Sequence, residues 1–378
     1  MDHEMKRLVI YTDLWGDGGI ETFLLNQLTQ WDMSNMQCVI LSAEKYSNVF
    51  DEKLQELEIH QEVLLKEKSA SAIQRRLKVF APLRQYFKEH PCDIAYFNLS
   101  NSVDMLCVKL AKEAGVCKRI VHSHNSGIEP SHSKCIKMLA HLICKQLYTK
   151  SATNWWACSD MAAKFLFSAD VLEKVEYIPN GIEIDKFSFS KKTRKEFREK
   201  LGINSEEVKI IGTVGRCTPQ KNQKFLLEVF AIVHHLHPDT KLLLAGDGPL
   251  RFELEERAKK LGIADSCIFL GFTNNIAPVY FAIDVFCLPS VCEGFVISAL
   301  EAQAAGCTCL LSDTVTKQSL LLDNACALPL KIKIWAQRLA SVLNENCDYA
   351  HRIAANTVVA SKGYDKKTSA QKVQSLLF

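Results

Sequence analysis

The sequence predicts an α/β protein made of two parallel-sheet units in tandem. Three observations carry that expectation. Short apolar runs recur along the chain, and most lead through a glycine-rich or polar turn into a stretch of helical spacing. That is the order expected of parallel strands joined by crossover helices. The alternation breaks once, between Phe187 and about Val208, in a polar segment containing Lys191-Lys192-Thr193-Arg194-Lys195, and then resumes. The length, 378 residues, gives room for about two domains.

In the first half, Lys6–Tyr11 is an apolar strand running into the turn Gly16-Asp17-Gly18-Gly19, and Ile20–Leu28 has helical spacing. Cys38–Leu41, Asp93–Phe97, Arg119–His124, Asn154–Cys158 and Val175–Ile178 read as further strands. The charged segment is the expected connection into the second half. There, strand Lys209–Val214 precedes helix Asn222–His234, and strand Thr240–Ala245 ends in Gly246-Asp247-Gly248-Pro249. Helix Leu250–Leu261, strands Cys267–Leu270 and Val285–Leu288, helix Ser298–Ala305 and strand Thr308–Ser312 complete the pattern.

Composition narrows the class. Hydrophobic residues make up 48% and charged residues 24%, which excludes a disordered or fibrous protein. The longest uncharged apolar runs fall short of the roughly 18 residues of a membrane-spanning helix. Leu8–Tyr11 is too short for the core of a signal peptide. The balance of 46 basic against 43 acidic residues, +3, does not argue for nucleic acid. The 15 cysteines are odd in number, scattered and without a C-x-x-C pair, so reduced, mostly buried thiols in a cytoplasmic protein are expected.

Ligands of open α/β sheets bind at the carboxyl ends of strands. The densest motif there is Leu288-Pro-Ser-Val-Cys-Glu-Gly-Phe-Val-Ile-Ser-Ala-Leu-Glu301. Gly294 permits close approach to the backbone, and the helix start that follows suits a phosphate. Glu301 is placed to accept hydrogen bonds from a ribose diol. An ordinary helix start with dipole-matched acids has the same pattern. In Gly212-Thr-Val-Gly-Arg-Cys-Thr-Pro-Gln-Lys-Asn222, Arg216 and Lys221 flank a turn and suit a diphosphate, in place of a metal ion. A solvated basic turn looks alike. His122-Ser-His-Asn125 puts two imidazoles on one side of a strand, with no third metal ligand evident. Gly16–Gly19 is half of a dinucleotide fingerprint and equally a structural turn.

The pieces gain meaning from their order: Gly18-Gly19, His124, Ile178-Pro-Asn-Gly-Ile182, Arg216 with Lys221, Ala245-Gly-Asp-Gly-Pro-Leu250, Leu270-Gly-Phe272, and Glu293 with Glu301. From about Arg7 to about Asp313 this order resembles the retaining family-4 (group 1) glycosyltransferases. Val121-His-Ser-His-Asn-Ser126 and Leu310-Leu-Ser-Asp313 look most like the branch that builds bacterial capsule and exopolysaccharide.

The resemblance implies a GT-B fold, two Rossmann-like domains facing each other across a cleft. The expected layout is an acceptor-binding domain over 1–187, a nucleotide-sugar domain over 188–360, and a C-terminal helix over 361–378 packing back toward the first domain. It implies transfer of a hexose-type sugar from a nucleotide diphosphate sugar, a UDP-sugar, with retention at the anomeric carbon. By position, Arg216 and Lys221 match the diphosphate-binding pair and Glu301 the ribose-binding acid. Glu293 matches the acid at the transferred sugar, and Gly294, Phe295 and Val296 the backbone that grips sugar and distal phosphate. Gly18 and Gly19 match the loop over the phosphates and acceptor, His124 the histidine near the reacting sugar, and Thr273 and Asn274 the place of the base. No metal and no cofactor are implied. Asp313-Thr-Val-Thr-Lys317, followed by Gln318, departs from the family's Gly-Gly-x-x-Glu stretch.

The implied acceptor is a glycan or a polyprenyl-diphosphate-linked glycan. Lys66–Lys88 has seven basic residues against Glu67, and Ser131–Lys150 has four lysines and no acid. Such basic amphipathic stretches suit the anionic inner face of the cell membrane, and also ordinary solvated helices. The competing expectation is a catalytically silent scaffold or activator subunit of a polysaccharide-assembly complex, which need not bind UDP or GDP tightly.

Overall fold

The computed structural model describes residues 5–128, 133–345 and 349–377. The chain forms two compact units. The first runs to Gly181 and takes in the helix Lys366–Leu377; the second is Ile182–Asp365.

The first unit is built on a parallel sheet of seven strands: β1 (Lys6–Trp15), β2 (Met36–Lys45), β3 (His60–Val63), β4 (Ile94–Leu99), β5 (Lys118–Ser123), β6 (Asn154–Ala157) and β7 (Val175–Tyr177), in the order β3-β2-β1-β4-β5-β6-β7. Leu8, Ile10, Ile40, Tyr96, Ile120 and Trp156 from the middle strands share one core with Phe23 and Leu24 of the helix Gly19–Leu28. A strand buried on both faces has no polar side, so these read as continuous apolar runs. The helix Lys366–Leu377 closes the unit: Gln27 Nε2 donates to Ser369 Oγ at 3.0 Å, and Val373 and Leu377 enter the core.

The second unit has six parallel strands: β8 (Lys209–Val214), β9 (Thr240–Ala245), β10 (Cys267–Gly271), β11 (Val285–Leu288), β12 (Thr308–Ser312) and β13 (Ala325–Leu328), in the order β10-β9-β8-β11-β12-β13. The strand order reverses between β1 and β4 in the first sheet and between β8 and β11 in the second. At such a reversal the connecting helices leave on opposite faces and open a crevice at the carboxyl ends.

Three elements differ from the sequence expectation. The segment expected to be a connection contains the helix Lys191–Lys200, capped by Ser190 Oγ accepting from Thr193 N at 3.2 Å. Its buried face is made of guanidiniums, not apolar side chains. Arg194 is 1% exposed and meets Asp284 at 2.8 Å; Arg198 is 2% exposed and meets the other Asp284 oxygen at 3.3 Å. Hydrophobic periodicity cannot see such a helix. The half-buried edge strands β3 and β13 were likewise absent from the expected set, since β3 reads His-Gln-Glu-Val. Among the described residues, no helix is long and apolar enough to cross a membrane.

Candidate functional site

In the second unit Lys221 and Glu293 meet at the β8/β11 reversal. β8 ends at Val214, and Gly215, with φ of +149°, turns the chain out. A Cβ built on Gly215 would lie 3.2 Å from Lys221 Cε, so the lysine stem lies over this glycine. The neighbouring loop pins the turn: Gly215 N donates to Ala245 O at 2.9 Å, Cys217 N to Asp247 O at 2.8 Å, and Leu250 N to Cys217 O at 3.1 Å. Gly246, with φ of +132°, approaches so closely that a Cβ there would stand 2.2 Å from Gly215 O.

Three hydrogen bonds tie the same turn to the loop after β11: Val291 N to Gln220 O at 2.9 Å, Gln220 Nε2 to Cys292 O at 2.8 Å, and Asn222 Nδ2 to Pro289 O at 3.1 Å. Asn222 adopts the left-handed conformation, φ 54° and ψ 38°, which asparagine tolerates better than most residues. These contacts bring Lys221 Nζ to 2.7 Å from Glu293 Oε1. Arg216, on the same turn, is exposed. The turn thus carries two cations, and a carboxylate lies beside the second.

After Glu293 the chain passes through buried Gly294, Phe295 and Val296 into the helix Ile297–Ala304, whose start has no side-chain cap. Phe295 stacks on Tyr364 at 5.2 Å between ring centroids. Glu301 sits one turn into the helix and accepts a hydrogen bond from Tyr280 Oη at 2.8 Å. Burial pushes its carboxyl up to about 7; the Tyr280 hydrogen bond and the Lys186 charge pull the other way. Its acidity therefore lies in the physiological range. Thr273 and Asn274 stand apart, following the edge strand β10; Thr273 Oγ1 accepts from Asn275 N at 3.2 Å, beside exposed Phe272.

Gly18, Gly19 and His124 belong to the first unit, at the carboxyl ends of β1 and β5. Gly18 and Gly19 line a cavity of about 240 Å³ with Asp13, Arg76, Asn98 and Asp104. A Cβ on Gly18 would come within 2.8 Å of Glu21 Oε2, so a larger residue there would displace that carboxylate, whose Oε1 accepts from Gly16 N at 3.0 Å. His124 Nε2 bonds Asn98 Oδ1 at 2.8 Å, so it carries the proton and Nδ1 is the acceptor. The rings of His122 and His124 lie 4.0 Å apart, and both pack on Phe23. Burial lowers both imidazoles, His124 to about 3, so both are neutral at pH 7. Among the described residues no three His, Cys, Asp or Glu side chains gather as a metal site.

Thus Lys221 and Glu293 are brought together, with Gly294–Val296 following in the chain and Glu301 one helical turn further, while Arg216 shares the turn of Lys221 and its stem lies beside Gly248. Sequence reasoning missed Gln220 and Asn222, which set the Lys221–Glu293 distance, and Tyr280, which holds Glu301. Asn222 had a usable signal, an asparagine ending a proline-containing turn. Tyr280 had none, standing within the apolar run Ala277–Ala282.

The fold is GT-B. Over 99% of both chains it superposes on Anabaena HepE, solved in complex with UDP and glucose, with a TM-score of 0.79 at 20% identity. It also matches WaaG, a glycosyltransferase involved in lipopolysaccharide biosynthesis, with a TM-score of 0.75 at 17% identity, covering 98% of this chain and 99% of that one. Residues 193–358 match the family described as glycosyl transferases group 1. EpsF of Bacillus subtilis (strain 168), a glycosyltransferase by name, is 29% identical over 346 residues, 90% of this chain and 88% of EpsF. The UDP-Gal:alpha-D-GlcNAc-diphosphoundecaprenol alpha-1,3-galactosyltransferase of Escherichia coli is 28% identical over 248 residues, 63% of this chain and 62% of that protein. These likenesses support a group 1 glycosyltransferase.

Proposed function

We propose that this chain is a retaining family-4 glycosyltransferase. It moves a hexose-type sugar from a UDP-sugar to a hydroxyl of a glycan or polyprenyl-diphosphate-linked glycan, in capsule or exopolysaccharide assembly. The observation that carries the reading is the Lys221–Glu293 pair at 2.7 Å, at the strand-order reversal and just before the helix Ile297–Ala304. A cation and a carboxylate in contact mark the point where a diphosphate and its sugar would meet.

In the reaction the bond from the anomeric carbon to the distal phosphate oxygen breaks, and positive charge spreads over the ring carbon and oxygen. Lys221 exchanges its carboxylate partner for the departing phosphate. Arg216 and the N–H groups at the helix start stabilise the same growing negative charge. Glu293, released from Lys221, faces the sugar as it turns positive. The acceptor oxygen bonds to the carbon on the face the phosphate leaves, and the acceptor proton passes to the leaving phosphate oxygen. Neutral His124, with its proton on Nε2, is a hydrogen-bonding rather than a charged contributor. Glu301 holds the ribose diol, and Thr273 and Asn274 lie beside the base. No metal enters the scheme. The names of the Escherichia coli galactosyltransferase and of the HepE complexes support UDP as the nucleotide, and the former supports a lipid-linked acceptor.

The test is a thermal-shift screen of the purified chain against UDP, GDP, ADP and their common sugar conjugates. A ligand at 100 times its Kd stabilises the native state by about 2.7 kcal/mol. UDP and one UDP-sugar should raise Tm by several degrees, and the responding sugar should be transferred in a turnover assay. Stabilisation by none of the nucleotides would point to a silent scaffold.

A further inference from the structure

We propose that the helix Lys134–Tyr148 is a docking surface for an anionic lipid bilayer. The helix is built inside out. Of its residues, His141 is the buried one, and Ile136, Leu139, Leu142, Ile143 and Leu147 are 73%, 60%, 49%, 50% and 63% exposed. At 100° per residue these five side chains fall within an arc of about 140°. In a helix of a globular protein an apolar arc of that width faces the core. Here the inward side is held by polar contacts instead: His141 Nδ1 accepts from Ser102 N at 3.1 Å, and His141 Nε2 donates to Phe165 O at 3.0 Å.

A contiguous exposed apolar stripe calls for an occupant, and charge selects it. Lys134 and Lys137 are exposed on the flanks of the helix, each about 80° outside the arc, and residues 133–150 contain no acid. A second copy of this chain would bring up a helix of the same positive sign. Anionic headgroups meet the lysines with opposite charge, while the apolar arc enters the acyl boundary and the lysine stems reach back to the surface. A second helix of the same unit also exposes apolar side chains. On Ala72–Glu89, Ile73 and Leu77 are 59% and 70% exposed, four residues apart and near Lys78. Arg76 of that helix bonds Asp104 at 2.5 Å, in the same Ser102–Asp104 turn whose backbone His141 holds. The surface extends the proposed function to the place where a lipid-linked acceptor is met. Its test needs no turnover, so its failure and that of the donor-site reading are distinguishable.

The test is co-sedimentation of the full chain with vesicles of pure phosphatidylcholine or of phosphatidylcholine with 30% phosphatidylglycerol. Binding to the anionic vesicles should exceed binding to the neutral ones by about tenfold or more and weaken with salt. Leu139→Glu with Ile143→Glu should lower the partition coefficient at least about tenfold, and Lys134→Glu with Lys137→Glu by a similar factor on anionic vesicles alone. The affected side chains are exposed, so the folded state should persist, checked by an unchanged Tm; Leu139→Ala with Ile143→Ala is the milder control. Absence of binding to anionic vesicles, binding indifferent to both pairs of changes, or a dimer in sedimentation equilibrium that Leu139→Glu with Ile143→Glu converts to monomer would each overturn the proposal.

Discussion

Replacing Lys221 by methionine separates stability from catalysis. The methionine keeps a stem over Gly215 and removes the charge. At 2.7 Å and an effective dielectric of about 20, the gross attraction between Lys221 and Glu293 is about 6 kcal/mol. Much of that offsets hydration lost by the two groups. Breaking a fully buried pair from one side costs about 3–5 kcal/mol, because the remaining charge is stranded. The side chains here are 19% and 11% exposed, so residual solvent reduces the loss to about 2–3 kcal/mol. Lys221→Met should therefore lower stability by that amount in urea unfolding. Glu293→Gln should cost less, since lysine reaches water more easily. The double variant Lys221→Met with Glu293→Gln should regain at least about 1 kcal/mol over the sum of the two. Activity should show no such recovery. Lys221→Met removes a contact that strengthens as the leaving group gains charge, so turnover should fall about 10² to 10³-fold in both the single and the double variant. A coupling energy within about 0.3 kcal/mol of zero would refute the ion pair. Turnover within a factor of two of wild type would refute its catalytic placement.

Glu301 makes donor binding depend on pH. Its carboxyl, raised to about 7 from an ordinary 4.5, ionises as pH rises through neutrality and then accepts the ribose hydroxyls more strongly. Affinity for the UDP-sugar, whose diphosphate has no group titrating near neutrality, measured by calorimetry should rise from pH 6 to pH 8 in wild type and stay flat in Glu301→Gln; a wild-type affinity that falls over that range would contradict the assignment. The same shift has a stability consequence. The native state holds this proton more tightly than the unfolded chain, so the group's contribution is full below pH 4.5 and declines as pH rises toward 7; Glu301→Gln should flatten that part of the urea-stability profile. Transfer should persist in saturating EDTA, and a loss restored by Mn²⁺ would assign the diphosphate to a metal rather than to Arg216 and Lys221. Gly246→Ala should destabilise by about 2 kcal/mol or more, since its Cβ would meet Gly215 O at 2.2 Å in a backbone conformation that side chains avoid; an unchanged midpoint would mean that the two loops separate without cost.

The sequence by itself determined the α/β alternation and where the charged turns fall. Burying a parallel strand on both faces demands a continuous apolar run, as in Leu8–Tyr11 or Leu242–Ala245. Glycines and charged side chains then collect where those runs end, as at Gly215–Lys221 and Glu293–Gly294. These are local features, and local pattern reads them. Partnership across the chain was decided only by the tertiary structure. Lys221 and Glu293 are 72 positions apart, and they meet because the order β10-β9-β8-β11-β12-β13 sets β8 beside β11, while Gln220 and Asn222 tie the following loops. The helix Lys191–Lys200 is the converse case. Its buried residues are arginines whose partner, Asp284, lies far along the chain, so composition shows charge where the fold uses a buried ion pair. The outward apolar arc of Lys134–Tyr148 has the same origin. Periodicity shows that a helix is two-faced, and only the packing of its neighbours decides which face meets the core.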